Sequence, residues 1–245
     1  MLPGPDGCLN PGEGGGGSYP IVNYRNDTLK CSYWDKDTMD TAQYGQNYVP
    51  FESDISIQNP GDAWFYHKGH VFDSADNLFG KYLGVVGRGS HFIINVPPNR
   101  SGLIVDEFVE SVTQMGDAVR ASFGKDVGHL AAPVSGKCAD LSVVVEATDP
   151  FDTVLLQEGL TKGQTILGYT LETQDKASKK WTEIKLDPKS AGLTVGTKAI
   201  VTLESTLSNA SAVRFRCTNA IAQNDEKFGA KLEAFSLHKL VRPSK

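Results

Sequence analysis

Residues whose chemistry could bind or transform a ligand are concentrated in three segments, 49–57, 64–68 and 91–104. Glu52 offers a carboxylate, Trp64 a flat apolar ring, and His67 an imidazole three residues later. Asn95 follows an apolar run and precedes two prolines, so the pattern predicts a buried strand whose last residues enter a loop. Barrel enzymes keep their chemistry at that end of each strand. The three segments therefore predict a site at the carboxyl ends of strands.

Each of these residues also has a purely structural interpretation. Glu52 would otherwise be a solvated loop acid, Trp64 a core tryptophan with a satisfied N–H, and Asn95 a cap for the proline turn. His67 and His70 have a His-x-x-His spacing, but a loop position and the lack of a third ligand argue against a metal site. The sequence predicts neither a metal nor a cofactor.

The run Gly12-Glu13-Gly14-Gly15-Gly16-Gly17 could suggest a phosphate cradle. It is not followed by Lys and Ser or Thr, and no predicted strand precedes it, so it does not predict a phosphate or dinucleotide site. Its composition favours a flexible loop. Residues 1–62 share this character, which is typical of long active-site loops.

Residues 64–124 alternate helices and strands in the manner of a barrel. Ser74 can cap a helix that runs to about Val86. A strand follows at His91–Val96, and a second helix at about Val105–Phe123 ends before Gly124. Apolar residues at helical spacing predict core-facing stripes on both helices. The stripes comprise Leu78, Phe79, Tyr82, Leu83 and Val86, then Phe108, Val109, Val112, Met115, Val119 and Phe123.

Beyond the second helix the chain changes character. Residues 126–137 are a mixed segment and predict a linker between a first domain, 1–125, and a second, 138–245. Seven runs with strand patterns follow, separated by clusters of turn-forming residues. They are Leu141–Ala147, Thr153–Gln157, Ile166–Thr173, Trp181–Leu186, Lys198–Leu203, Ala212–Cys217 and Lys231–His238. Evenly spaced short strands with polar turns predict a β-sandwich.

Length and charge limit the functional classes. The 245 residues exceed the usual single-domain size of about 100–150, so two domains are expected. No apolar run approaches the ~20 residues that a membrane span requires. The net charge of -5 argues against nucleic-acid binding, which needs clustered Lys and Arg on one face.

Cysteines and glycosylation motifs bear on the compartment. The chain contains Cys8, Cys31, Cys138 and Cys217. They lack the close pairing of a zinc site, and buried free thiols are the simplest interpretation, although sequence alone does not reveal pairing. N-x-Ser/Thr motifs begin at Asn26, Asn99 and Asn209 and suggest a secretory route, to the exterior or to a vacuole or lysosome. The first residues have neither the basic start nor the apolar core of a signal peptide.

The combination and spacing of the segments 49–57, 64–68 and 91–104 resemble α-L-fucosidases of glycoside hydrolase family 29, especially the plant and bacterial branch. The resemblance covers roughly residues 3–125 and, more loosely, the rest. The run Phe151–Gly159, followed by Gly163-Gln164 and Tyr169–Glu172, resembles the discoidin-like sandwich of that branch. The resemblance implies the carboxy-terminal part of a (β/α)8-like TIM barrel followed by a discoidin-like β-sandwich, that is, an α/β part plus an all-β part.

The same resemblance implies residue roles in retaining hydrolysis of terminal α-linked L-fucose from glycans, where one carboxylate attacks and a second handles the proton. Glu13 stands at the family's distance after Gly4-Pro5-Asp6 and is the candidate general acid/base, a role that needs a raised pKa. The residues before it, Leu9-Asn10-Pro11-Gly12, depart from the family pattern. Four residues are implied to bind the sugar: Trp64, Glu52, His67 and Asn95.

The family nucleophile, an Asp in an aromatic-x-Asp-Gly context, has no counterpart in this sequence. We therefore expect the chain to begin after its nucleophile strand, as a truncated gene model, a split polypeptide or a degenerate paralogue. A complete barrel needs about 250 residues, twice what is present, so the amino-terminal half of the barrel is an expected partner, alongside a fucosylated glycan. The alternative is a non-catalytic carbohydrate-binding or structural remnant in which only the sandwich functions.

Overall fold

A computed structural model of the chain describes residues 23–24, 47–48, 52–58, 64–89, 91–186 and 194–243. Two short antiparallel strands come first, β1 (Asn23–Tyr24) and β2 (Asn47–Tyr48). A βαβα unit and two four-stranded antiparallel sheets follow them. No helix in this described part of the chain is long and apolar enough to span a membrane.

The βαβα unit begins with two parallel strands. Its elements are β3 (Glu52–Ser56), α1 (Ala75–Val86), β4 (His91–Asn95) and α2 (Asp106–Phe123). Parallel neighbours require a crossover connection, which α1 supplies. Apolar side chains from one face of the strand pair pack against both helices, with Ile55, Ile57, Leu78 and Phe108 fully buried. The register pairs Ser56 with Asn95, so both strands end at the same level.

The helix boundaries follow local chemistry. Ser74 caps α1, and its Oγ accepts a hydrogen bond from the Asn77 N–H at 3.3 Å, which confirms the predicted start. The end of α2 before Gly124 is also confirmed. The predicted core position of Val109 is wrong, because this side chain is 50% exposed. The buried residues of α2 are instead Phe108 and three small residues, Ser111, Ala118 and Ser122.

The two antiparallel sheets form the second region, called here the two-sheet region (134–238). The first sheet has the order β10 (Ala199–Leu207), β7 (Phe151–Glu158), β12 (Ala230–His238) and β5 (Val134–Gly136). The second has the order β6 (Ser142–Glu146), β11 (Ala210–Ala220), β8 (Ile166–Asp175) and β9 (Trp181–Glu183). A short helix, α3 (Ala222–Phe228), joins β11 to β12.

One hydrophobic core joins the two sheets. Phe151 and Leu156 of the first sheet and Leu171 and Phe215 of the second are at most 1% exposed. Burying a side chain of this size contributes roughly 1.5–3 kcal/mol. All seven predicted strand runs contain a strand. The segment predicted as a linker, 126–137, also contributes one, since β5 pairs with β12.

A disulfide joins the turn after β5 to strand β11 of the two-sheet region. Cys138 and Cys217 are bonded, with their Cα atoms 5.2 Å apart across a sequence separation of 79 residues. The free-thiol interpretation is therefore wrong for this pair. Its spacing gave no signal, because only the folding of β11 beside the turn at Cys138–Asp140 brings the two together. The other cysteines, Cys8 and Cys31, lie outside the described residues.

The βαβα unit and the two-sheet region contact each other directly. The Ile200 N–H of β10 donates to the Gly87 carbonyl oxygen at 3.0 Å. The Ser122 hydroxyl of α2 accepts from the Val241 N–H at 2.9 Å. His238, at the end of β12, meets the Phe123 ring edge to face at 5.3 Å, and burial lowers the pKa of this imidazole. These contacts tie both helices to the last strands of the chain.

The close approach at Gly87 should make it intolerant of a side chain. A Cβ there would lie 2.2 Å from the Leu83 carbonyl oxygen and 3.0 Å from the Ile200 Cβ, whereas a Cβ at Gly84 would meet nothing within 4 Å. We expect Gly87→Ala to lower the free energy of unfolding by about 1–3 kcal/mol. The matched change Gly84→Ala should leave it unchanged or raise it by up to about 1 kcal/mol. Urea unfolding of both variants measures the two free energies. Equal effects would contradict the close packing of Gly87 against Leu83 and Ile200.

Glu158 is a buried carboxylate at one end of the two-sheet core. Its Oε1 accepts hydrogen bonds from the N–H groups of Thr165 at 2.6 Å and Ile166 at 2.8 Å, and its Oε2 from Gly196 at 3.2 Å. It therefore ties the end of β7 to the start of β8 and to the loop before β10. Burial raises the pKa of Glu158 to about 7, although these three N–H groups act in the opposite direction.

This raised pKa predicts that Glu158 makes stability fall as pH rises. The folded protein keeps a proton up to about pH 7 that the unfolded chain releases near the ordinary value of 4.5, so the protonated form favours folding. The contribution is about 3 kcal/mol, present below the unfolded pKa and lost as pH rises through the folded pKa.

Urea unfolding across this pH range measures the effect. The difference in unfolding free energy between wild type and Glu158→Gln should change steadily with pH, since the amide does not titrate. Glu146→Gln, at an exposed position on β6, serves as the matched control. Parallel stability profiles for wild type and Glu158→Gln would contradict the prediction.

Candidate active site

The candidate site lies where β3 and β4 end side by side. Asn95 Nδ2 donates hydrogen bonds to Ser56 Oγ at 3.2 Å and to the Trp64 carbonyl oxygen at 2.9 Å. The carbonyl oxygen of Asn95 accepts from the Ile57 N–H at 3.0 Å. Asn95 thereby joins both strand ends to the loop that carries Trp64.

Gln58 holds the next part of this loop, residues 64–70. Its side chain is 3% exposed. Its Nε2 donates to the His67 carbonyl oxygen at 2.8 Å, and its Oε1 accepts from the His67 N–H at 2.9 Å. One side-chain amide thus binds both backbone groups of a single residue. The loop is anchored at Trp64 by Asn95 and at His67 by Gln58.

The anchored loop presents aromatic rings to solvent. Trp64 is 42% exposed and Phe65 is 79% exposed. Tyr66 points inward instead and meets Phe108 of α2 edge to face at 6.2 Å. The rings of His67 and His70 stack at 4.7 Å. An exposed indole beside hydrogen-bonding groups can pack against the apolar face of a ligand whose polar groups bind nearby.

No group of three or more His, Cys, Asp or Glu side chains among the described residues is placed to hold a metal ion. The two stacked imidazoles of the loop are a pair without such a third ligand. The described residues offer the partly exposed Trp64 ring for packing and the Asn95 and Gln58 amides for hydrogen bonding.

The structure brings some of the predicted site residues together. Trp64 and Asn95 are in direct contact, and His67 joins them through Gln58. Glu52 lies at the amino end of β3, in register with His91 and about 13 Å along the strand from Ser56. Glu13, the candidate acid/base, lies outside the described residues.

Sequence reasoning missed Gln58. It directly follows segment 49–57 and therefore lies one residue beyond the motif from which the candidate residues were chosen. The available signal was a polar residue at the end of a strand pattern, where a side chain can reach the following loop. That signal does not distinguish a buried amide from a solvated one.

Comparison with known proteins shows what the part of the chain around this site is similar to. A sequence model described as Alpha-L-fucosidase matches residues 21–122, which include both parallel strands and the anchored loop. Alpha-L-fucosidase 1 of Arabidopsis thaliana is 27% identical over 188 residues. Residues 21–122 of this chain are therefore similar to the α-L-fucosidase family. The match covers 64% of this chain and 36% of the plant protein, so the chain spans about a third of that relative's length.

Solved structures extend this likeness to most of the chain at the level of fold. A glycoside hydrolase 29 family member from an unknown rumen bacterium has a TM-score of 0.71 at 21% identity, covering 94% of this chain and 39% of that one. The Ruminococcus gnavus GH29 fucosidase E1_10125, solved in complex with fucose, has a TM-score of 0.69 at 17% identity, covering 95% and 50%. The shared fold therefore includes the βαβα unit and the two-sheet region.

Proposed function

We propose that this chain supplies the carboxy-terminal part of a retaining α-L-fucosidase that removes terminal α-linked L-fucose from glycans. The observation that carries the proposal is the hydrogen bond from Asn95 Nδ2 to the Trp64 carbonyl oxygen. It holds a partly exposed indole at the shared carboxyl end of two parallel strands, where barrel enzymes bind their substrates. The family relation of residues 21–122 supports the class of reaction.

In this proposal residues 1–125 belong to a (β/α)8 barrel and residues 138–245 form a discoidin-like β-sandwich. The parallel register of β3 and β4 with α1 between them supports the first part. The two antiparallel sheets around one core support the second. Ile93 of β4 is 42% exposed, whereas strands of parallel sheets are normally buried on both faces. Strands from an amino-terminal half of the barrel, the proposed partner, would cover it.

The reaction proposed is a double displacement. It needs two carboxyl groups about 5–5.5 Å apart, one as nucleophile and one as acid and then base. Glu13 takes the second role. The nucleophilic Asp comes from the amino-terminal half of the barrel, earlier in the same polypeptide or on a separate one. Trp64 packs against the apolar face of fucose, and His67 and Asn95 help to orient the sugar. Glu52, about 13 Å along β3 from Ser56, lies away from these residues.

Hydrolysis of an aryl α-L-fucoside tests this function in the chain extended by its upstream coding sequence. Glu13→Ala should lower turnover by about 10²–10⁴-fold, because water then lacks its general base. Azide needs no such base, so it should restore turnover and give the α-fucosyl azide. Glu146→Ala is the matched control. Trp64→Phe should raise KM, whereas Trp181→Phe, which changes a Trp stacked on Arg214 of the two-sheet region, should not.

The outcomes separate the two functional hypotheses. Normal turnover in Glu13→Ala would remove Glu13 from the mechanism. An extended chain that binds fucosylated glycans without hydrolysing them would instead favour the non-catalytic remnant. Inverted product stereochemistry would exclude the double displacement.

A secretory route is part of the proposal. The Cys138–Cys217 disulfide supports it, since disulfides persist in oxidising compartments. Asn209 is exposed in the turn between β10 and β11, where its Nδ2 donates to Asp175 Oδ2. Asn99 is partly buried, and its Oδ1 accepts from the Ser101 and Leu103 N–H groups.

We therefore expect an N-glycan at Asn209 when the protein is made in a eukaryotic secretory pathway. Mass spectrometry of the peptide after enzymatic deglycosylation in heavy-oxygen water checks this, with Asn209→Gln as the control. An unmodified Asn209 peptide would contradict it.

A further inference from the structure

The loop 64–70 has few contacts of its own that could fix its position. Phe65, His67 and Lys68 are exposed, and Gly69 has a φ of 79°, in the left-handed region that favours glycine. Within the loop, the His70 N–H donates to the His67 carbonyl and the two imidazoles stack. Its described anchors to the rest of the unit are the inward-facing Tyr66, the bond from Asn95 and the two bonds from Gln58. The placement of the Trp64 ring therefore depends on a small set of bonds.

Gln58 differs from the other anchors because it is buried and satisfies both backbone groups of His67 at once. If its amide were replaced by an apolar group, the His67 N–H would lose this acceptor, and the His67 carbonyl would keep the 3.3 Å bond from the His70 N–H. Both bonds to Gln58 are partly buried, so their loss costs free energy that solvent does not fully return. The loop would then shift so that water could reach these groups.

We propose that Gln58 is a positioning residue for sugar binding. Its two hydrogen bonds to His67 set the loop so that the Trp64 carbonyl meets Asn95 and the indole faces the carboxyl ends of β3 and β4. The inference rests on the proposed function for its ligand, fucose. Gln58 acts through the loop and does not touch the substrate.

The first test measures the loop itself in the 245-residue chain, with no sugar present. Trypsin can cut after the exposed Lys68, and cleavage in a structured protein requires local opening. Gln58→Met keeps the length of the side chain and removes both bonds, so cleavage of the Lys68–Gly69 bond should be roughly tenfold faster. Gln114→Met, which removes an amide that donates to Glu110 on α2, is the matched control.

A second variant distinguishes loss of the two hydrogen bonds from misfolding. In Gln58→Glu the carboxylate still accepts from the His67 N–H but repels the carbonyl oxygen, and protonation restores a donor. With Trp34 and Trp181 replaced by Phe, Trp64 is the remaining tryptophan. Its quenching by acrylamide in Gln58→Glu should return to the wild-type level at acidic pH, whereas that of Gln58→Met should not.

Sugar binding is measured separately in the extended chain. A ring that packs equally against ground state and transition state contributes uniform binding, so Gln58→Met should raise KM with little change in kcat. Unchanged cleavage at Lys68 in Gln58→Met would overturn the proposal, as would faster cleavage with an unchanged KM. If the wild-type extended chain binds no fucose, the proposed function fails, and with it the sugar-binding role of Gln58. In that case the cleavage and quenching results still decide whether Gln58 fixes the loop.

Discussion

The in-register parallel pairing of β3 and β4 is the constraint on which the candidate site depends. Because Ser56 lies opposite Asn95, the two strands end together, and the chain that leaves each strand starts at the same level. Asn95 can then bond to Ser56 and to the backbone of Trp64 from one position. A shift of one residue in the register would turn the Asn95 side chain toward the helices. Its hydrogen bonds to Ser56 and Trp64 would then be lost.

The parallel pair is stabilised from the side of its helices. The hydrophobic cluster between the strand pair and the helices is small, with the buried residues Ile55, Ile57, Leu78 and Phe108 at its centre. The two-sheet region has a far larger core, and it meets α1 at Gly87 and α2 at Ser122 and Phe123. Gly87 and Ser122 are small, which allows the backbones to approach closely at these two points. The rigid two-sheet region therefore acts as a support for the helices, and through them for the strands that carry the site.

What could be predicted from the sequence follows from how local the relevant interactions are. The cap at Ser74, the end of α2 before Gly124 and the seven strand runs depend on neighbouring residues, and the structure agrees with each. The disulfide and the strand β5 depend on partners far along the chain, so their pattern gave no signal. The prediction that Val109 faces the core was wrong, because helical spacing defines an apolar stripe but not which edge of that stripe is buried. Trp64 and Asn95 were found by motif, whereas Gln58 was not, because a buried amide and a solvated one look alike in sequence.

The two amide side chains at the site bind the loop through its main chain. Asn95 bonds to the carbonyl oxygen of Trp64, and Gln58 bonds to the N–H and carbonyl of His67. Every residue other than proline offers those groups, so the side chains at Phe65 and Lys68 can change without loss of the anchors. Identity to the plant relative is only 27%, and a loop held in this way can keep its shape through such divergence. The position of Trp64 therefore depends on the two amides more than on the exposed side chains of the loop that they hold.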